Sequence, residues 1–149
     1  MIDLLRADGP DPALRDKPML YGQFVGSWSV VNRELGLDGQ WREEAGEWHF
    51  GWVLGGRGVQ DVLFPAHAPG ERGTTLRAYD ERDDVWHIAW MAPFWGEFGR
   101  QVGRADGDRI VQEGDGHEWV FSDITVSSFR WTSETDGRLV QEIRAARIS

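Results

Sequence analysis

The clearest indication of the fold lies in residues 96–122, which read GEFGRQVGRADGDRIVQEGDGHEWVFS. Two Asp-Gly pairs, Asp106-Gly107 and Asp115-Gly116, separate three short runs of residues typical of β-strands. Asp-Gly between such runs is a strong hairpin signal, because a type I′ turn needs a positive φ at both central positions. This segment therefore predicts three consecutive antiparallel strands.

The same alternation of runs and turns continues from Leu20 onward, with two further pairs at Asp38-Gly39 and Asp136-Gly137. Sequential hairpins predict a meander. Many strands in one sheet would leave open edges unless the sheet closes on itself. We therefore predict an all-β fold, a single closed antiparallel up-and-down barrel of about 8–10 strands, with a β-sandwich as the alternative. The predicted strands are Phe24–Glu34, Gln40–Val53, Arg57–Phe64, Thr74–Tyr79, Val85–Ala92, Gly96–Arg104, Arg109–Gly114, His117–Ser122, Ser127–Thr135 and Leu139–Ile148.

The length of 149 residues predicts one domain over residues 1–149. Residues 1–20 differ from the rest, because Gly9-Pro10-Asp11-Pro12 interrupts the chain before a short helix that Asp11 would cap. Pro18 limits that helix to a couple of turns. We interpret residues 1–20 as a lid over one barrel end, with a frayed leader as the alternative.

Composition excludes several classes of function. The net charge of −9 and the single lysine, Lys17, argue against binding to nucleic acid or to an anionic membrane surface. The absence of cysteine excludes disulfides and thiolate chemistry. We expect a cytoplasmic protein, since neither a signal peptide nor a membrane helix is recognisable. No metal site is indicated, because His49, His67, His87 and His117 lack ligand spacing, and no cofactor is implied.

Nine tryptophans are more than a surface accounts for, so most should face the barrel interior. There they either fill the core or line a cavity for one small ligand. The aromatic turn Met91–Phe98, which contains Trp95, predicts a cavity rim or a subunit contact. The candidate ligand-binding tryptophans are Trp48, Trp52, Trp90, Trp95, Trp119 and Trp131. On the strand that holds Trp48, the alternation of side chains puts His49 on the outer face.

Polar residues in this aromatic setting are the candidate chemical groups. His87, Glu97 and Tyr79 are the candidate acid–base residues. Arg57 and Arg77 are candidates for holding an anionic or carbonyl group. The alternative for these arginines is internal pairing with Glu142 or Glu97.

Gly26-Ser27-Trp28 resembles the Gly-x-Trp motif of the lipocalin/calycin superfamily. That resemblance implies that Trp28 packs at the closed barrel end against an arginine near the last strand, either Arg144 or Arg147. The chain is also similar to an uncharacterised bacterial lipocalin-like family, from about Phe24 to Ile148. The matching pieces are Gly26-Ser27-Trp28, Trp48, Leu54-Gly55-Gly56, Thr75–Asp80, Trp86–Trp90, Phe129-Arg130-Trp131 and Glu142.

The superfamily hosts binders, carriers, haem proteins and a few enzymes, so the resemblance leaves the function open. We expect binding of a small hydrophobic or aromatic molecule. The alternatives are a cofactor-independent isomerase, cyclase, lyase or hydratase acting in the same cavity, a haem binder, and an interaction module. The strand Val85–Ala92 is apolar on both faces, which predicts a covering by the N-terminal segment or by a partner, with a homodimer preferred.

Overall fold

The computed structural model describes all 149 residues and has ten strands in one closed antiparallel barrel. Each strand pairs with the next along the chain, and the first pairs with the last. This confirms the predicted closed barrel and rules out the sandwich. The strands are β1 Gly26–Leu35, β2 Trp41–Val53, β3 Gly58–Pro65, β4 Gly73–Asp80, β5 Val85–Ala92, β6 Glu97–Asp106, β7 Arg109–Gly114, β8 His117–Ser122, β9 Ser128–Thr135 and β10 Arg138–Arg147.

The Asp-Gly pairs form two kinds of turn. Asp115-Gly116 and Asp136-Gly137 have positive φ at both residues and connect strands through two-residue loops, as a type I′ turn requires. At Asp106-Gly107 only the glycine has a positive φ, and the pairing of Asp106 with Arg109 places Gly107 and Asp108 at the centre of the turn. All four pairs therefore mark a strand connection, but only two have the expected geometry.

The N-terminal segment crosses one end of the barrel. It contains helix α1 Ile2–Leu5, a 3₁₀ turn at Pro12–Leu14 and helix α2 Met19–Gly22. Asp11 caps the 3₁₀ turn by accepting a hydrogen bond from the Ala13 amide at 2.9 Å. None of the helices has the length and apolarity needed to span a bilayer.

Helix α2 and the turn after it form a plug in the barrel end. Tyr21 and Phe24 are completely buried and pack on Phe121, with ring centroids 5.9 and 4.9 Å away. A Cβ on Gly22 would overlap the indole of Trp52, so only glycine allows the helix to come this close. Phe24 belongs to this plug, which is why β1 begins at Gly26 rather than at Phe24 as predicted.

Trp28 and Arg147 close the same end. The Arg147 guanidinium carbon lies 4.2 Å from the centre of the Trp28 indole, and Trp28 Nε1 donates to the Phe24 carbonyl at 2.8 Å. Arg147 is therefore the arginine that the resemblance implied. Arg144 faces outward instead, where Arg130 and Arg144 both donate to Glu142.

Alternating side chains divide each strand between the interior and the outer face. Large aromatic residues fill the interior at the plugged end, including Phe50, Phe121 and Phe129. On the outer face, His49 contacts Ser27 and Glu47, as its position on β2 predicted. The hydrophobic core therefore occupies the plugged half of the barrel and leaves the other half for a different use.

Candidate functional site

The open half of the barrel contains a cavity of about 320 Å³ to which every strand contributes. Residues with small side chains, such as Gly46, Gly73 and Ala92, lie on its walls where the plugged half has phenylalanines. These small residues leave interior space between the larger side chains of the wall.

Five tryptophans line the cavity: Trp48, Trp90, Trp95, Trp119 and Trp131. Trp48 and Trp131 meet edge to face, with ring centroids 6.3 Å apart and planes at 87°. The indole of Trp90 lies over Gly73, where a Cβ would overlap the ring. Trp95 is more than half exposed in the β5–β6 turn, beside the exposed Phe94 and Phe98. The predicted aromatic turn therefore forms part of the cavity rim.

A buried ion pair forms the floor of the cavity. Arg77 Nη1 lies 2.6 Å from Asp61 Oδ2, and both side chains are almost completely buried. Asp61 Oδ1 also accepts a hydrogen bond from the Thr75 amide at 2.8 Å. The guanidinium lies over the ring of Tyr21, 5.1 Å from its centroid. Because a buried charge needs a partner of opposite sign, this pairing fixes Arg77 inside an otherwise aromatic interior.

Gln112 extends the floor into a chain of hydrogen bonds. Its Oε1 accepts from the Tyr21 hydroxyl at 2.8 Å, and its Nε2 donates to Gln101 Oε1 at 2.9 Å. Burial raises the pKa of Tyr21 well above its ordinary value, against the opposing influence of Arg77. Tyr21 therefore stays a neutral donor, and the floor is a connected polar network anchored on the plug.

Two polar groups in this region lack partners in the protein. Trp48 Nε1 is buried and has no hydrogen-bond acceptor. Arg77 donates through Nη1 and Nε, whereas its Nη2 donates to no group in the protein. Buried donors are normally satisfied, and Trp48 Nε1 is the one buried side-chain donor that is not. Arg77 lines the cavity, so its unpaired Nη2 marks the floor as a place for an acceptor.

The mouth of the cavity is acidic. Glu34, Glu44, Glu71 and Glu97 line it, and Glu97 accepts a hydrogen bond from Trp90 Nε1 at 3.1 Å. Arg77 is the only basic residue on the cavity wall. Asp61 neutralises Arg77, and of the four glutamates only Glu44 has an ion-pair partner, His67 at 3.6 Å. The net charge of the cavity lining is therefore negative.

The structure brings together seven of the predicted site residues around this cavity: Trp48, Arg77, Trp90, Trp95, Glu97, Trp119 and Trp131. Trp52 faces the interior but lies beyond Phe50, against Gly22 of the plug. Arg57 lies outside the plugged end, where it pairs with Asp11 at 2.8 Å and Glu81 at 2.7 Å. Neither arginine pairs with Glu142 or Glu97; the partner of Arg77 is Asp61.

The three acid–base candidates do not share a site. His87 lies on the outer face of β5 with its Nε2 3.0 Å from Asp80 Oδ2, because its position alternates with Trp86 and Trp90. This corrects the expectation that His87 lies within the barrel. Tyr79 packs on Trp86 near the plugged end, outside the cavity lining. Only Glu97 reaches the cavity.

Three floor residues were not predicted from the sequence: Asp61, Gln112 and Gln101. Asp61 alternates in step with Val59 and Leu63 on β3. A charged residue in register with apolar inward positions is a detectable signal for a buried partner.

No protein-family model matches the chain, and no curated protein matches it in sequence. Among solved structures, an S-type phycobiliprotein lyase, CPES from Guillardia theta, is similar with a TM-score of 0.56 and 11% identity, over 88% of this chain and 92% of that chain. Two redesigned β-barrels bound to DFHBI, mFAP0 and mFAP1, are each 18% identical over 84% of this chain, with TM-scores of 0.45 and 0.46. The similarity covers 99% of the mFAP0 chain and 95% of the mFAP1 chain. The likeness to the lyase supports a shared barrel fold.

Proposed function

We propose that this protein binds a small hydrophobic or aromatic molecule in the open half of its barrel. The observation that supports this most strongly is the combination of a preformed cavity, five tryptophans on its walls and a buried polar floor. Ligand sites typically have volumes of about 300–1,000 Å³ and apolar walls with a few fixed polar groups. The cavity of about 320 Å³ has the volume for a compact ligand, and its tryptophans supply apolar wall between the polar floor and the acidic mouth.

In this proposal, the polar floor of the cavity orients the ligand. Arg77 is held by Asp61 and stacked on aromatic rings, so its free Nη2 keeps one direction without a ligand. A donor fixed in advance loses little conformational freedom when it binds an acceptor. Binding is favoured over the enzymatic alternative, because His87 and Tyr79, two of the three residues predicted to act together as acid and base, lie outside the cavity lining.

Calorimetric titration with 2-acetylnaphthalene, a neutral aromatic ketone, tests the proposal. Trp131→Ala removes a cavity wall and should weaken binding by about tenfold, equivalent to about 1.4 kcal/mol. Trp41→Ala is the matched control, since Trp41 stacks with Arg33 on the outer face and should leave the affinity unchanged. Equal affinities in the wild type and Trp131→Ala, or no binding of aromatic probes of any charge, would overturn the proposal. Native mass spectrometry of freshly purified protein would reveal a molecule that is retained.

A further inference from the structure

We propose that the ligand carries a positive charge at the cavity mouth and a neutral hydrogen-bond acceptor at the floor. This inference rests on the proposed function and adds the chemical class and the orientation of the ligand.

The charges around the mouth support the cationic end. Four glutamates line the cavity, and its one basic residue is already neutralised by Asp61. An anionic ligand would have to pass these carboxylates, whereas a cation is attracted to them. The whole chain carries a net charge of −9, so the surrounding field has the same sign.

The aromatic walls of the cavity also favour a cation at the mouth. Trp90 holds Glu97 through its indole N–H, which places a carboxylate beside an aromatic ring at the mouth. Trp95 lies on the same rim. The face of an indole attracts a cation, and quaternary ammonium groups are recognised by surfaces that combine such rings. A cation at the mouth therefore gains from both the carboxylates and the rings.

The floor supports the neutral acceptor. Arg77 Nη2 is a donor without a partner, on a residue that is more than nine-tenths buried and lines the cavity. Because Asp61 balances the charge of Arg77, a second carboxylate here would add an unbalanced negative charge in an apolar interior. A carbonyl or a similar neutral oxygen satisfies the donor without that penalty.

The test uses three derivatives of 2-acetylnaphthalene with groups of similar size on the far ring: trimethylammonium, tert-butyl and sulfonate. In calorimetric titrations at low ionic strength, we expect the cation to bind about tenfold more tightly than the tert-butyl compound, and the sulfonate to bind most weakly. High salt should reduce the difference, since it screens charges at an open mouth.

Glu97→Gln removes one charge at the mouth and should weaken binding of the cation several-fold more than binding of the tert-butyl compound. Glu118→Gln is the matched control, because Glu118 is exposed on the outer face of β8. Equal effects of both variants would overturn the role of the mouth.

The two proposals fail in different ways. If the tert-butyl or the sulfonate compound binds as tightly as the cation, the charge inference is overturned and the proposed binding function stands. If none of the three compounds binds to the folded protein, the proposed function itself is overturned.

Discussion

Tyr79 donates its phenolic hydrogen to Asp84 Oδ1 across 2.6 Å, and Lys17 approaches the same carboxylate at 3.2 Å. The bond to Asp84, together with desolvation and nearby carboxylates, raises the pKa of Tyr79 to about 12. The same bond, with help from Lys17, lowers the pKa of Asp84. Tyr21, the only other tyrosine, has its pKa raised by burial. Both phenols are therefore held in their neutral form by the folded state.

We expect the folded protein to show no tyrosine ionisation near pH 10, where an unperturbed tyrosine titrates. The unfolded chain loses these protons at about pH 10 while the folded chain keeps them, so the free energy of unfolding should decrease as the pH rises above about 10. Titration of the near-ultraviolet tyrosinate absorbance, with circular dichroism to monitor the fold, measures this.

The control for this titration is Asp84→Asn, which removes the charge beside Tyr79. Its first ionisation step should move toward pH 10, with half of the total tyrosinate signal, while Tyr21 remains protected. Ionisation of both tyrosines near pH 10 in the wild type, with the circular dichroism unchanged, would contradict the assignment.

Replacement of Asp61 should be among the most damaging single substitutions in the chain. Asp61→Asn leaves the Arg77 charge buried without its partner, and breaking a buried pair in this way typically costs roughly 3–5 kcal/mol. Urea denaturation measures the change in the free energy of unfolding.

The comparison for Asp61→Asn is Asp106→Asn, which breaks the exposed pair with Arg109 and should have a much smaller effect, because solvent screens that pair. The double variant Asp61→Asn/Arg77→Met should recover part of the loss, because it removes the unpaired charge. Equal costs for Asp61→Asn and Asp106→Asn would show that the ion pair contributes little.

Arg147→Lys tests the hydrogen bonds through which the Arg147 guanidinium closes the plugged end of the barrel. Arg147 donates to the carbonyls of Gln23, Val25 and Val126 at 2.7–2.9 Å while lying over Trp28. A lysine keeps the charge but lacks the planar set of donors, so we expect a loss of about 1–3 kcal/mol in thermal or urea unfolding. Arg138→Lys, at an exposed position of β10, should have almost no effect. If Arg147→Lys lowers the free energy of unfolding no more than Arg138→Lys does, the guanidinium hydrogen bonds have no special role in stability.

The barrel was predictable because its signals are local. Asp-Gly pairs mark four connections, and alternation assigns the faces of strands such as β2, with Trp48 inside and His49 outside. The start of β1 differs from prediction because a tertiary contact intervenes. Phe24 has the composition of a strand residue, but its burial in the plug outweighs that preference.

The candidate site was predictable only in part, because alternation gives the face of a residue and not its height in the barrel. Trp48 and Trp52 share the inner face of β2, yet Trp48 lines the cavity and Trp52 lies under the plug. The Arg77–Asp61 pair depends on the register between β3 and β4 across a seven-residue connection, which local sequence does not specify. His87 was misplaced because β5 is apolar on both faces, which hides the alternation.

The pairing of β1 with β10 has a consequence for synthesis of the protein. The other nine ladders join neighbours along the chain and can form as successive hairpins leave the ribosome. Trp28 pairs with Arg147 on β10, so the edge of β1 that faces away from β2 has no partner until residues 138–147 have been translated. An unpaired edge is a template for association with other chains. Phe121 and Phe129, against which the plug packs, are also made late. The nascent chain therefore exposes an unpaired edge of β1 through most of its translation.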